Sequence, residues 1–597
     1  MRGSDMSQQG TQQRPSGPVS TAPAVIRLAS PRKRIRIFTV LIMGMLLLCV
    51  VRLIDLQIIR GPQLALQAKD SRLQTFVVPA LRGQITDANG NPIAMSIKAR
   101  NVTVDQTLVH DPHKTALILA PMLHIPVKTV QKRLTGKLRF NYVAHSITPE
   151  LWTKIANKKL VGILSEQTTL RIYPEGSLAA NLLGFTGFDG HGLGGLEYTQ
   201  DKFLAGIAGK ETIEMVDGAQ IPTGPNSGTD AVDGGSVQLT IDDSIQAVAE
   251  RALARQIKAQ HAIGGDVVVM DPKTFNILAM ATYPTFNPNN AEKYTVAQRR
   301  NSAVQDTFEP GSTSKVMTMS AVIQEGVLKP TSKIVVPPTI RRGGTTFHDH
   351  NPHGTLHLTL NGVLALSSNI GSIIASDKIG QDKFLTYLKK FGIGQSTDSK
   401  IPGEQSGILP DPKNPNQWSD TTFPTLAFGQ GLSVTALQVA SIYSTIANDG
   451  VRLTPHIIAG ITDNEGVFTP TQSSGTIRVV SPKTARTVRQ MLESVVSAEG
   501  TAPAAQIPGY RVAGKTGTAN RSRVNGPGYS GYTASFVGMA PAENPALVVA
   551  VMIHTPGGLH FGSLLSGPVF REVMMYALAH RKVPPSSKKR PTIPAKW

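Results

Sequence analysis

The chain is 597 residues long, which excludes a single small module and predicts several structural units. Lysine and arginine number 60 against 40 aspartate and glutamate residues, for a formal net charge of +20. Residues 1–36 and 581–597 each carry six of these excess charges, and the remainder has no zinc-finger, basic-zipper or RNA-recognition signature. We therefore expect no nucleic-acid partner. The single cysteine, Cys49, excludes intrachain disulfide bonds and cysteine-rich metal sites.

The N-terminal region has the composition of a tail followed by a membrane anchor. Residues 1–34 are rich in Ser, Gln, Pro and Arg and are predicted to be a disordered cytoplasmic tail. Residues 35–54 are apolar except for Arg36 and Arg52, and about 20 such residues can cross a bilayer as a helix. A cleaved signal peptide is the alternative, although its apolar region is usually shorter. The basic flank predicts a cytoplasmic N-terminus, so we expect a single-pass protein of the cytoplasmic membrane with an exported body.

The exported body divides at a Gly- and Asp-rich stretch, Gly224–Gly235. Before it, residues 55–235 mix short β-like runs with glycine turns and contain no obvious catalytic constellation, which predicts a β-rich pedestal domain. After it, residues 236–582 contain all the motifs that indicate chemistry. Residues 583–597 are rich in Pro and Lys and are predicted to form a basic, disordered tail.

The predicted elements of the second domain run from strands through helices and back to strands. Ser236–Ile241 is an alternating strand, and a helix over Asp242–Gln260 can be capped by Asp242 or Asp243. The further predicted strands are Gly265–Met270, Ile277–Thr282, Tyr510–Ala513, Ser535–Met539 and Ala546–His554, and the predicted helices are Thr313–Glu325, Leu360–Ile379, Lys383–Phe391 and Thr435–Asn448. This order predicts an α+β fold in which one sheet, completed by C-terminal strands, packs against an inserted helical subdomain.

The first chemical motif is Ser312-x-x-Lys315, which follows a Pro-Gly turn and begins a helical pattern. Residues spaced by three share one face of a helix. A desolvated lysine there can act as a base toward a serine hydroxyl, and the helix N-terminus can stabilise an oxyanion. The same spacing occurs at Ser30–Lys33 and Ser586–Lys589 in the basic tails, so the motif alone is weak. A plain N-cap is the alternative role for Ser312.

Two further polar segments lie in apolar surroundings. Ser367-Ser368-Asn369 interrupts a helical stretch and could be no more than a helix break. Ala513–Ala519 follows a predicted strand and contains Lys515, Thr516, Gly517 and Thr518, which suit a carboxylate and an oxyanion. Gly509–Thr516 also matches the phosphate-loop pattern G-x-x-x-x-G-K-T, but the letters between the glycines predict a strand, and residues 517–528 predict a loop where a helix is required.

S-x-x-K, S-x-N and K-T-G in this order are the signature of serine acyl-enzymes of the penicillin-binding and β-lactamase group. The chain resembles the class B penicillin-binding proteins, the D,D-transpeptidases of peptidoglycan, from about residue 50 to residue 580. Phe275, where glycine is frequent, and Asn520, where Gln or Lys is frequent, are the departures. Further segments that resemble the family are Leu81–Gly90, Arg171–Gly176, Gly192–Glu197, Met270–Pro272, Phe428–Ser433 and Ser535–Gly538.

The resemblance implies a role for each motif residue. Ser312 would be the nucleophile and Lys315 its base, while Ser367 would relay a proton and Asn369 would hold Lys315. Lys515, Thr516, Gly517 and Thr518 would bind the substrate carboxylate, and the N–H groups of Ser312 and Thr518 would form the oxyanion hole. The implied substrates are stem peptides ending in D-Ala-D-Ala, and β-lactams would mimic them. No metal or organic cofactor is implied.

Within this family the division-specific FtsI-like type is favoured, which implies a septal location and partners such as an FtsW-like glycan polymerase and other divisome proteins. An elongation-specific transpeptidase, or a non-catalytic scaffold or β-lactam sensor with this fold, are the alternatives. A β-lactamase is disfavoured by the anchor and the pedestal. His348-Asp349-His350-x-x-His353 has the composition of a metal site, but its loop lacks the helical spacing of zinc ligands, so we expect no metal there.

Overall fold

The computed structural model describes residues 31–216, 219–220, 227–472, 475–522, 529–558, 561–587 and 589–597. The chain forms two compact units, residues up to 76 with 212–227 and residues 77–211 with 228–597. Most of the predicted tail over 1–34 lies outside the described residues, and its last four residues begin the first helix.

The first unit is dominated by a long apolar helix. α1 (Pro31–Ile54) continues through a π-helical turn, Asp55–Ile59, and is followed by α2 (Gly61–Arg72) and β1 (Leu73–Val78). Every side chain of α1 is exposed. In the described part of the chain, only the helical stretch Pro31–Ile59 is long and apolar enough to cross a membrane, in agreement with the predicted anchor.

Residues 77–239, of which 212–227 belong to the first unit, are organised around one long strand. The elements here are β2 (Ile85–Thr86), β3 (Pro92–Val104), α3 (Pro112–Leu123), α4 (Val127–Leu134), β4 (Asn141–Ile147), α5 (Pro149–Ala156), β5 (Ile163–Ile172), α6 (Ala180–Leu183), α7 (Gly195–Thr199), α8 (Asp201–Leu204), β6 (Gly209–Val216), β7 (Ala219–Gln220), β8 (Ser227–Thr229) and β9 (Ser236–Leu239). β3 pairs antiparallel with β4 and β5, so that Val102 lies opposite Ala144 and Ser165. β2 pairs in parallel with β9, which joins this sheet to the start of the next region.

Residues 240–582 contain a sheet and a large helical layer. The elements are α9 (Asp243–Ala259), β10 (Gly264–Met270), β11 (Ile277–Tyr283), α10 (Val296–Arg299), α11 (Ser302–Gln305), α12 (Lys315–Gln324), β12 (Lys333–Val336), β13 (Thr339–Arg342), β14 (Thr345–His348), β15 (Leu356–Thr359), α13 (Leu360–Ala365), α14 (Asn369–Asp377), α15 (Gln381–Phe391), α16 (Thr422–Leu426), α17 (Ala436–Ala447), β16 (Val451–Leu453), β17 (Ile458–Thr462), β18 (Phe468–Pro470), β19 (Thr476–Arg478), α18 (Pro482–Val495), β20 (Ala513–Ser522), β21 (Tyr529–Ala540), β22 (Leu547–His554) and α19 (Gly562–His580). The α+β prediction is confirmed.

The main sheet has the antiparallel order β11-β10-β22-β21-β20. β10 and β22 are buried along their whole length, because helices cover both faces of the sheet. α9 and α19 pack on one face, and α17 packs on the other, where all twelve of its residues are buried. The C-terminal strands complete the sheet, as predicted, and this places β20 at its edge.

Two predicted elements differ from the structure where polar segments interrupt the apolar pattern. The single helix predicted over Leu360–Ile379 is two helices, α13 and α14, because Ser367 adopts a left-handed conformation with φ +62°. The strand predicted over Tyr510–Ala513 begins only at Ala513 and continues to Ser522. The segment containing Lys515 is therefore part of the strand, and the loop predicted from residue 517 is wrong as far as Ser522.

The C-terminal segment packs against the rest of the second unit. Asn361 Nδ2 donates a hydrogen bond to Ile593 O at 2.9 Å, and Trp597 Nε1 donates to Leu358 O at 3.0 Å. This differs from the prediction of a disordered tail over 583–597. The composition of the segment is polar, but these partners, like those of Val583, Ser586 and Arg590, lie more than 70 residues away along the chain, which local sequence does not reveal.

Candidate active site

Ser312 lies in a 3₁₀ turn, Gly311–Ser314, directly before α12. The preceding Gly311 has φ +53°, and a Cβ there would lie 3.0 Å from Ala519 Cβ. A side chain at 311 would therefore be both strained and crowded, and glycine allows the turn to approach β20. Ser312 is partly exposed, and its Oγ accepts a hydrogen bond from Ser367 Oγ at 3.0 Å.

Lys315 is the first residue of α12 and is fully buried. Its Nζ donates to Ser367 O at 2.6 Å and to Asn369 Oδ1 at 2.7 Å, and it lies 3.3 Å from Ser367 Oγ. Among the described residues, Lys315 hydrogen-bonds to Ser367 and Asn369 and not directly to Ser312. Burial lowers the pKa of Lys315 to about 7, and the charge of Asp349 partly opposes this.

Ser367 occupies the centre of the cluster. Its left-handed backbone ends α13 and places its Oγ between three polar groups. This Oγ contacts Ser312 Oγ, Lys315 Nζ and Lys515 Nζ at 3.0, 3.3 and 2.9 Å. Because a hydroxyl both donates and accepts, Ser367 can pass a proton between the Ser312 hydroxyl and a lysine amine.

Lys515, Thr516, Gly517 and Thr518 lie on the edge strand β20. The side chain of Lys515 is fully buried and donates to Ser367 Oγ and to Thr516 O at 3.1 Å. Burial, and then the neighbouring Lys315, hold the pKa of Lys515 well below its usual value. The two ammonium charges therefore disfavour one another.

Glycine at 517 is required by close packing. A Cβ there would lie 2.4 Å from Ser535 Oγ and 3.0 Å from Pro310 O, so any side chain would push the strand away from the turn that holds Ser312. The two threonines beside it, Thr516 and Thr518, remain partly exposed. They line a cleft of about 680 Å³ with Ser312, Ser367 and Asn369.

The strand that contains Lys515 and Thr516 also tests whether Gly509–Thr516 is a phosphate-binding loop. A phosphate loop opens a helix directly after its lysine and threonine. Here Lys515 and Thr516 are inside β20 and pair with Val537 and Phe536 of β21. Gly509–Thr516 is therefore not a nucleotide-binding loop.

The histidine-rich segment over His348–His353 borders the same cleft. Asp349 is buried and accepts hydrogen bonds from both Ser368 and Asn369, and His353 also contacts its carboxylate. Within the residues that the structure describes, no group of three or more His, Cys, Asp or Glu side chains is arranged to hold a metal ion. The sequence indicates no catalytic part for Asp349, because Ser368 and Asn369 lie about 20 residues away and no local pattern links them to it.

Two family models match the chain. The penicillin-binding protein transpeptidase domain matches residues 265–575, and the penicillin-binding protein dimerisation domain matches residues 77–239. Together they cover most of the second unit, including all the motif residues of the cleft, and α9 lies between the two matches.

Similar proteins are aligned over nearly the whole chain. Penicillin-binding protein PbpB of Mycolicibacterium smegmatis is 37% identical and covers 96% of this chain and 94% of its own length. Peptidoglycan D,D-transpeptidase FtsI of Escherichia coli K12 is 33% identical, with 89% of each chain covered. Penicillin-binding protein 3 of Mycobacterium tuberculosis, solved with aztreonam, has a TM-score of 0.69 at 34% identity and covers 87% of this chain and 100% of its own. The chain therefore belongs to the class B penicillin-binding proteins.

Proposed function

We propose that this protein is a peptidoglycan D,D-transpeptidase that cross-links stem peptides through an acyl-enzyme on Ser312. The observation that carries the proposal is the continuous contact from Ser312 Oγ through Ser367 Oγ to two fully buried lysines. A serine hydroxyl is a weak nucleophile unless a base accepts its proton, and an amine with a pKa of about 7 is such a base at neutral pH.

In the acylation step, Ser312 Oγ forms a bond to the carbonyl carbon of the penultimate D-Ala. Its proton passes to Ser367 Oγ, and the proton of Ser367 passes to neutral Lys315. Asn369 Oδ1 and Ser367 O hold the amine in place, because each accepts one of its N–H groups. The oxyanion accepts hydrogen bonds from the backbone N–H groups of Ser312 and Thr518. The base thus acts through Ser367 and not by direct contact with the nucleophile.

The tetrahedral intermediate then collapses. The C–N bond to the last D-Ala breaks, and its amine takes the proton back through Ser367. Lys515, Thr516 and Thr518 bind the carboxylate of that D-Ala, and the arriving negative charge favours the ammonium form of Lys515. An amine of a neighbouring stem peptide attacks the ester carbonyl and forms the new C–N bond, the C–O bond to Ser312 breaks, and the proton of the amine returns to Ser312 Oγ through the same relay. A β-lactam acylates Ser312 by the same first step.

We further propose that α1 anchors the enzyme in the cytoplasmic membrane with its N-terminus inside and its transpeptidase domain outside. The basic residues before the apolar segment support this orientation. The likeness to PbpB and FtsI supports a role in septal wall synthesis with an FtsW-like polymerase and divisome proteins. Depletion in cells tests the role, because filaments indicate division whereas rounded cells indicate elongation.

Labelling of the full-length, detergent-solubilised protein with a fluorescent penicillin tests the acyl-enzyme. We expect wild type to be labelled and Ser312→Ala to lose the label completely. Ser586→Ala is the matched control, because Ser586 begins the same S-x-x-K spacing in the C-terminal segment and should leave labelling intact. Persistent labelling of Ser312→Ala would exclude Ser312 as the nucleophile, and an unlabelled but folded wild type would indicate the non-catalytic scaffold.

A further inference from the structure

Asp349 is a buried carboxylate outside the three sequence motifs, in the segment after β14. Its two oxygens accept four hydrogen bonds. Oδ1 accepts from the backbone N–H groups of Asn369 at 2.5 Å and Ile370 at 2.9 Å. Oδ2 accepts from Ser368 Oγ at 2.6 Å and from His353 Nε2 at 3.0 Å. Each carboxylate oxygen of Asp349 therefore accepts two hydrogen bonds.

These bonds hold the N-terminus of α14. The first N–H groups of a helix have no partner inside the helix. Asp349 accepts the first two of α14, and Ser368 Oγ accepts the third, from Gly371 N at 2.9 Å. A carboxylate at this end is also favoured by the helix dipole. Asp349 thus fixes the backbone at Asn369, which is the first residue of α14.

His353 holds Asp349 from the other side. Its Nε2 faces the carboxylate, and its Nδ1 faces the carbonyl of Gly354. Since both of these partners are acceptors, both ring nitrogens can donate only when the imidazole carries two protons. In that form His353 and Asp349 are an ion pair that is largely shielded from solvent.

The residues that Asp349 fixes are the ones that bind Lys315. Asn369 Oδ1 and Ser367 O, on either side of Ser368, accept the two short hydrogen bonds from Lys315 Nζ. A shift of this turn would move both acceptors and the Ser367 hydroxyl together. The charge of Asp349 also acts on Lys315 without direct contact, and it raises the pKa of the amine against the effect of burial.

We propose that Asp349, held by His353, is a positioning residue of the acylation reaction that fixes the Ser367–Asn369 turn around Lys315 and supplies negative charge to Lys315. The proposal rests on the transpeptidase function proposed above. The titratable groups that surround this arrangement are Lys315, Lys515, His348 and His353.

The test is acylation of the full-length enzyme by a chromogenic cephalosporin across pH 5–9. Asp349→Asn keeps an oxygen for the N–H groups of Asn369 and Ile370 but removes the charge. We expect the pH at which the acylation rate is half-maximal to fall by about one unit, because a lysine without the nearby carboxylate loses its proton more easily. Asp349→Ala also removes the acceptors, and we expect the saturating acylation rate to fall about 10–100-fold with little change in cephalosporin affinity.

Asp266→Asn is the matched control. Asp266 is also buried, accepts from Ser302 Oγ and pairs with His554 at 3.0 Å, but it lies on β10 and does not line the cleft. This variant should alter thermal stability and leave the pH midpoint at the wild-type value.

A shifted midpoint in Asp349→Asn with an unshifted control supports the proposal. An unshifted midpoint in Asp349→Asn overturns it, even if Asp349→Ala fails to fold. A wild type that is not acylated at all overturns the transpeptidase function instead.

Discussion

Two clusters of buried basic side chains in the second unit have opposite electrostatic surroundings. The arginine cluster consists of Arg82, Arg171, Glu197 and Asp201. Arg82 donates to Glu197 Oε2 and to Asp201 Oδ1, both at 2.6 Å, and Arg171 donates to Glu197 Oε1 at 2.8 Å. Two cations thus meet two carboxylates, and the charges balance.

The lysine cluster consists of Lys315, Lys515, Ser367 and Asn369. Its two amines are fully buried, but the groups that they hydrogen-bond are hydroxyls, an amide and backbone carbonyls. Asp349 acts on Lys315 only from a distance. Without a paired carboxylate, burial disfavours the charged amine.

The difference explains which cluster can perform chemistry. A buried ion pair with excellent geometry keeps its charges, and removing one partner is strongly destabilising, so the arginine cluster is suited to holding chain segments together. A buried, unpaired amine releases its proton near neutral pH and can accept one from a neighbouring hydroxyl. The lysine cluster can therefore act as a base toward a neighbouring hydroxyl.

The largest expected effect comes from replacing the titratable amine with a permanent cation. In Lys315→Arg the charge cannot be lost at neutral pH, so we expect acylation by fluorescent penicillin to fall about 100-fold or more. Lys589→Arg, in the S-x-x-K spacing of the C-terminal segment, is the control and should label as wild type does. Near-normal acylation by Lys315→Arg would mean that Lys315 is not the base.

A smaller effect, on stability, comes from unbalancing the arginine cluster. Glu197→Gln leaves two buried guanidinium groups facing one carboxylate, and we expect the free energy of unfolding in urea to fall by about 3 kcal/mol. Acylation per folded molecule should stay within about twofold of wild type. The exposed pair Arg255–Glu572 provides the control, and Glu572→Gln should cost less than about 1 kcal/mol. Equal losses in both variants would contradict the contrast between buried and exposed pairs.

The sequence predicts those features that depend on local pattern. Asp242 caps α9 by accepting a hydrogen bond from Ile245 N, as its position before an apolar helical pattern indicates. The strands β10 and β22 are continuous apolar runs and are buried on both faces. The three motifs lie together at the cleft, as the resemblance to a family with the same motif order implies.

The features that the sequence does not predict depend on partners distant along the chain. The sequence allows a helix break at Ser367–Asn369, but nothing beside these residues indicates that Asp349 accepts hydrogen bonds from the first N–H groups of the next helix. The pairing of Arg82 and Arg171 with Glu197 joins three separate segments that sequence reasoning noted only as family resemblances. The order of the C-terminal segment likewise comes from contacts with β15 and α13.

The central claim is that Lys315 is the neutral base of the lysine cluster. The most direct test is the acylation rate of the full-length wild type under saturating cephalosporin, measured by stopped flow from pH 5 to pH 9. Because the pKa of Lys315 is lowered to about 7, the amine is protonated and inactive below this pH and free above it. We predict a rate that rises with pH and is half-maximal near pH 7. A rate that is flat over this range, or one that is still rising steeply at pH 9, would contradict the account.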